Sequence, residues 1–159
     1  MGDATVREGV TEALINYLDT DTICFPSDEP EALVRLQKEH WDPLISWMKD
    51  KYGVGLVVSE GIAPAIQTPE TLVKIRAVVD AMDIWELAAL ERAVYATKSF
   101  VIGLALTKGR ITAHEAALAS HVEVASQIER WGEVEDSHDV DYQDIRRALG
   151  SAAVLLSKA

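Results

Sequence analysis

Phe100-Val101-Ile102-Gly103-Leu104-Ala105-Leu106 is the stretch on which the reading of this chain turns. It carries no charge and is apolar on nearly every side. It is far short of the roughly 20 residues that a membrane span needs. It therefore reads as the buried second half of a central helix running from about Ile84 to Thr107. Gly103 costs helix propensity there and lets a neighbouring helix come close. Lys108-Gly109-Arg110 is the turn that ends it.

The flanks carry helix punctuation. Downstream, Thr112-Ala113-His114-Glu115 is a capping box, and its helix is expected to reach Trp131, with Gly132 as the stop. Upstream, Thr68-Pro69-Glu70 opens a helix to about Ala81: a capping threonine, proline in the first turn and an acid at the positive dipole end. Asp28-Glu29-Pro30-Glu31 is another start, with Asp28 as the expected cap. Pro43 predicts a break near Trp41-Asp42, and Gly53 suits a left-handed cap. Residues 5–18 read as an amphipathic helix through Val6, Val10 and Leu14. Asp19 to Thr22 should end it by bonding backbone groups, leaving Ile23, Cys24 and Phe25 extended and buried. Asp139 or Asp141 is expected to cap a last helix after an acidic connector. Residues 54–67 are the least regular, with a hint of a short strand at Val54 to Val58. The fold class is thus all-α: one multi-helix domain over residues 1–159, with about five to seven helices.

Composition narrows the function classes. The chain has 159 residues, 48% hydrophobic and 26% charged, and a formal net charge of −11. A chain so acidic repels phosphate backbones and anionic membrane surfaces and favours a basic partner. Nucleic-acid binding and membrane insertion are not expected, and a monomer is. The single cysteine excludes an internal disulfide. The acidic start, Met1-Gly2-Asp3-Ala4-Thr5, does not read as a signal or transit peptide.

Catalytic signals are weak, and no enzyme activity or cofactor is expected. His114-Glu115 begins like a zinc-protease motif but lacks the second histidine. His114 and His121 lie two turns apart on one helix, about 10 Å, too far to share an ion unaided. No glycine-rich phosphate loop occurs. Cys24 reads as a small buried apolar residue beside Ile23 and Phe25. Carboxylate pairs are plentiful but are also what any solvated acidic surface provides. Trp41 and Trp85, in apolar periodic settings, are expected in the core. The acidic run from Glu129 to Asp144, opposed only by Arg130, reads either as a solvated connector or as a docking patch, with Trp131 as anchor or as packing support.

Leu18-Asp19-Thr20-Asp21-Thr22-Ile23-Cys24-Phe25, Trp41-Asp42-Pro43-Leu44 and Trp131-Gly132-Glu133-Val134-Glu135-Asp136 together carry a resemblance. In order and spacing they resemble the C-terminal helical domain of the mitochondrial F1-ATPase assembly factors that chaperone the α subunit (the ATP synthase F1 complex assembly factor 2 family). Lys51-Tyr52-Gly53-Val54, Gln127-Ile128-Glu129-Arg130 and His138-Asp139 extend it over essentially the whole chain. The resemblance implies a non-enzymatic chaperone of the mitochondrial matrix. It would hold the free α subunit of F1-ATPase against aggregation until the β subunit displaces it. It also implies that the family's N-terminal domain and targeting sequence lie outside this chain. The partner-binding residues it points to are Glu123, Trp131, Glu133 and Glu135. Glu123 precedes Trp131 by two helical turns, and the other two follow the Gly132 stop. Glu129 fits the family's pattern of acids less well and is left out. The competing readings are an enzyme with a carboxylate-lined pocket and a helical scaffold without a client. A raised-pKa carboxylate in a deep pocket would favour the first.

Overall fold

Helix follows helix along the whole chain in the computed structural model, which describes residues 4–59, 61, 63–132 and 135–157, with only the backbone for 135–142. Nine α-helices occur among the described residues: α1 (Ala4–Asn16), α2 (Glu31–His40), α3 (Asp42–Tyr52), α4 (Pro69–Asp80), α5 (Ile84–Thr97), α6 (Phe100–Thr107), α7 (Ala113–Ser120), α8 (Val122–Trp131) and α9 (Glu135–Leu156). No strand occurs among them, so the all-α class holds and the strand hint at Val54 to Val58 does not.

The number of helices exceeds the expectation because two predicted helices are each divided. The helix expected from Ile84 to Thr107 breaks at Lys98, which takes a left-handed conformation (φ 58). Ser99 then caps α6, its Oγ accepting from the Ile102 N–H at 3.1 Å. The helix expected from Thr112 to Trp131 is interrupted at His121, whose N–H is shared between the carbonyls of Ala117 (3.1 Å) and Leu118 (3.2 Å). The end of α7 leaves backbone carbonyls without helical partners. Trp41 Nε1 donates to one of them, Ala119 O, at 2.8 Å. That bond seats the buried Trp41 ring against α7.

The core centres on α6, all eight of whose residues are buried. It packs against α5, α7, α3 and α9. An added Cβ on Gly103 would lie 2.7 Å from Val94 Cγ2 and 3.1 Å from Val94 N, so glycine is what lets α5 and α6 touch. Leu87, Leu90, Met48 and Leu149 complete this centre, and Leu14, Leu18, Ile23 and Ile75 extend it toward α1 and α4. On the outside of α1, Arg76 pairs with both Glu8 and Glu12, and Arg7 donates to Met82 O at 2.7 Å.

Asp21 fixes the join between α1 and α6. It is fully buried and accepts from Ser99 Oγ (2.6 Å), Val101 N (2.9 Å) and Ile23 N (3.1 Å). Thr22 donates through both its N–H and its hydroxyl to Lys98 O. The Asp19–Thr22 element is therefore structural, as its residue types suggested. Its conformation differs from the expectation. Thr22–Cys24 forms a 3-10 turn rather than an extended run, because Asp21 caps it through the Ile23 N–H.

Three further expectations change. The N-cap of α2 is Pro30, without a side-chain cap bond, and Asp28 does not cap. Trp85 is 42% exposed in the first turn of α5 rather than core. The acidic stretch after Gly132 is helical from Glu135 on, not a connector. Packing of α9 along α5, with Leu149 and Ala152 fully buried, supplies the stability that the local sequence lacks.

The described residues of 54–67 lack regular structure, and several of their backbone groups are bonded outside any helix or strand, as a partly buried segment requires. The side-chain amide of Gln67 takes the place of a neighbouring strand. It accepts from Val57 N at 2.9 Å and donates to Val57 O at 3.0 Å. Ser59 N donates to Cys24 O at 2.8 Å, and Gln67 N to Asp19 Oδ1 at 3.3 Å.

Candidate partner-binding cleft between α2 and α8

α2 and α8 lie side by side and are clasped by one ion pair. The Arg35 guanidinium donates to both carboxylate oxygens of Glu129, at 2.6 and 2.8 Å. Next to this clasp opens a cleft of about 380 Å³. Ser27, Pro30 and Leu33 form one wall; Glu123, Ser126, Gln127, Arg130 and Trp131 form the other. The five α8 residues are spaced i, i+3, i+4, i+7, i+8, which is a single helical stripe.

The sequence reading placed Glu123 and Trp131 on one face of one helix, and both line this cleft. Glu123 is exposed in the first turn of α8, and its carboxylate makes no hydrogen bond or ion pair among the described residues. Trp131 is 73% exposed, so it is not a packing support. The Arg130 guanidinium stands 4.7 Å from its ring centroid, within cation–π range. Gly132 (φ 85) ends the helix directly behind it, a conformation that glycine adopts without strain. Glu133 lies outside the described residues. Glu135 is the first residue of α9, and its side chain lies outside them too.

Ser126, Gln127, Arg130 and the α2 wall were not singled out from sequence. The α8 stripe was legible in the spacing, but nothing local indicated that α2 would face it. Ser126 is 4% exposed, lines the cleft, and its hydroxyl makes no hydrogen bond among the described residues. Glu129, two positions from Gln127, is taken up by Arg35 and does not line the cleft.

The two groups with the most strongly raised pKa values, Asp21 and Cys24, lie elsewhere and are buried. Burial pushes the Asp21 carboxyl up to about 6, against the downward pull of its bonds to Ser99, Val101 and Ile23. It is fully enclosed, so it cannot meet a substrate. Burial, reinforced by the nearby Asp21, pushes the Cys24 thiol up to about 12. His121 is buried, while His114 Nδ1 meets the Arg146 guanidinium. Among the described residues no three of His, Cys, Asp and Glu come together in a way that could hold a metal ion.

Comparison with known proteins agrees with this architecture. Residues 1–49 match the family described as ATP12 chaperone protein. The mitochondrial protein atp12 of Schizosaccharomyces pombe is 39% identical over 155 residues, covering 94% of this chain and 53% of that protein. The mitochondrial protein ATP12 of Saccharomyces cerevisiae is 31% identical over 174 residues, covering 94% of this chain and 54% of its own length. The chain thus spans about half the length of these curated relatives. The crystal structure of Atp12 from Paracoccus denitrificans superposes with a TM-score of 0.89 at 34% identity, covering 97% of this chain and 66% of that one. With sequence and fold in agreement over the length it shares with them, the chain belongs to the ATP12 chaperone family.

Proposed function

We propose that this chain is an assembly chaperone that binds the free α subunit of F1-ATPase in the mitochondrial matrix and gives it up when the β subunit arrives. The agreement in sequence and fold with Atp12 proteins carries this reading. A ring subunit without its neighbour exposes an apolar interface, and such surfaces drive aggregation. A chaperone for it must cover that surface and still yield to the true neighbour. Moderate affinity with charge-guided encounter meets both needs, and no nucleotide hydrolysis is required.

Residues 1–159 act in this reading as one helical domain, and the docking surface is the α2/α8 cleft with its continuation into the start of α9. Glu123 supplies an uncommitted negative charge and Trp131 an exposed aromatic anchor, the kind of residue that dominates interface energies. Glu133 and Glu135, which follow Trp131 in the chain, are the further acids assigned to the partner in this reading. The test is light scattering of free α subunit, with β subunit and an unrelated aggregating protein as controls. Protection of α alone, reversed by added β, is expected. Equal protection of all three would reduce the chain to a nonspecific holdase.

A further inference from the structure

The α2/α8 cleft combines three features that together select a ligand. Its one carboxylate, Glu123, has no partner among the described residues. Ser126 turns an unpaired hydroxyl into it while being 4% exposed. Trp131 stands at its mouth, 73% exposed. Although Ser126 is nearly buried, its hydroxyl still reaches solvent through the cleft, so a donor on a partner can bond it in place of water. We propose that the cleft receives an arginine side chain projecting from the bound partner. The guanidinium pairs with Glu123 and the Ser126 hydroxyl, and its plane lies against Trp131.

The chemistry favours arginine over the alternatives. A guanidinium is planar, bonds a carboxylate through two parallel N–H groups and stacks flat on an indole; a tetrahedral ammonium pairs with the carboxylate only as a point charge. An anion would meet Glu123 and would have only Arg130 to bind. Arg130 is already engaged over the Trp131 ring, and it also borders a smaller adjoining cleft lined by Glu29 and Pro30. Pro30 and Leu33 offer an apolar wall for the aliphatic stem, which arginine buries readily. The formal charge of −11 draws a basic group toward the surface before contact.

The inference rests on the chaperone reading only for who the partner is, so one experiment separates the two. The ¹⁵N-labelled chain is titrated with acetyl-Ala-Ala-Arg-Ala-Ala-amide and with its lysine and citrulline counterparts, the last neutral but of nearly the same shape. The arginine peptide is expected to shift the Trp131 indole signal and the backbone amides of 123–131 saturably. The lysine peptide should bind several-fold more weakly and the citrulline peptide should be silent. Glu123→Gln should weaken the arginine peptide at least fivefold, and Ser126→Ala about two- to fivefold, with amide spectra otherwise unchanged. Equal shifts by citrulline, shifts away from α8, or indifference to Glu123→Gln would overturn the proposal. In parallel, free F1 α subunit is captured by the wild-type chain and by Glu123→Gln. Full capture by Glu123→Gln would overturn the arginine cleft and leave the chaperone reading standing. Arginine-specific peptide binding with no capture of α would do the reverse.

Discussion

The Ser99 hydroxyl donates to the Asp21 carboxylate at 2.6 Å, joining two segments 78 residues apart in the chain. The same carboxylate accepts the Val101 N–H at the start of α6, while Ser99 caps α6 through the Ile102 N–H. The segment after α1 and the central helix are thereby held in one register by a single buried acid.

Asp21→Ala leaves the Ile23 and Val101 N–H groups and the Ser99 hydroxyl without their acceptor. A loss of about 2–4 kcal/mol at neutral pH is expected from urea unfolding. Ser99→Ala should cost about 1–2 kcal/mol, chiefly through the lost cap. Because the two groups are bonded, their effects should be clearly non-additive in a double-mutant cycle. Additive losses would mean that the bond contributes nothing.

The same carboxyl gives stability a pH dependence of defined sign. Its pKa is about 6 in the folded protein against an ordinary 3.8. Between those values the folded state holds the proton and the unfolded chain has released it. This group's contribution to stability is therefore greatest at the acid end and falls as pH rises through about 6. The full swing amounts to about 3 kcal/mol. Stability curves of wild type and Asp21→Asn from pH 4 to 8 isolate it, since the other carboxylates are common to both. A difference between the curves that does not change with pH would refute the assignment.

Gly103 and Gly150 should respond oppositely to alanine. At Gly103 the new methyl meets Val94 at 2.7 Å and forces α5 and α6 apart, costing about 1–3 kcal/mol. At Gly150, inside α9, an added Cβ meets nothing within 4 Å. The higher helix propensity of alanine should stabilise the protein there by about 0.5–1 kcal/mol. Thermal melts of the two variants check both signs.

Cys24 is fully buried and its thiol is pushed up to about 12, so almost no thiolate is present or reachable at pH 8. Alkylation by iodoacetamide should be negligible in the native protein and fast in urea. Its rate at intermediate urea should follow the unfolding curve. Rapid labelling of the native protein would show that the Ile23–Cys24 turn opens locally.

Glu123 and Glu129 test the cleft by contrast. Both are exposed, so a change to lysine at either should cost within about 1 kcal/mol of stability. Glu129→Lys also breaks the Arg35 clasp, which as an exposed pair contributes at most about 1 kcal/mol. Only Glu123→Lys should weaken α-subunit binding strongly, by about 1–3 kcal/mol, and flatten its salt dependence. Equal loss in both variants would move the docking surface off the cleft.

The sequence by itself determined the helical class, most helix starts and the burial of the Phe100–Leu106 run. Those rest on local physics: side-chain caps at Thr68 and Thr112, a left-handed glycine at Gly53, and periodicity that needs no knowledge of neighbours. It also put Glu123 and Trp131 on one helix face, since that needs only the helical repeat. Tertiary structure alone decided the break at Lys98, because the gain there is a set of bonds from Thr22 and Asp21, far away in the chain. It decided how α9 is held, through packing on α5 that buries Leu149 and Ala152. It also decided which acids are free: Arg35, reaching from α2, occupies Glu129 and leaves Glu123 open to the cleft. A residue's chemistry can be read from its neighbours in sequence, but its availability depends on partners that only folding brings near.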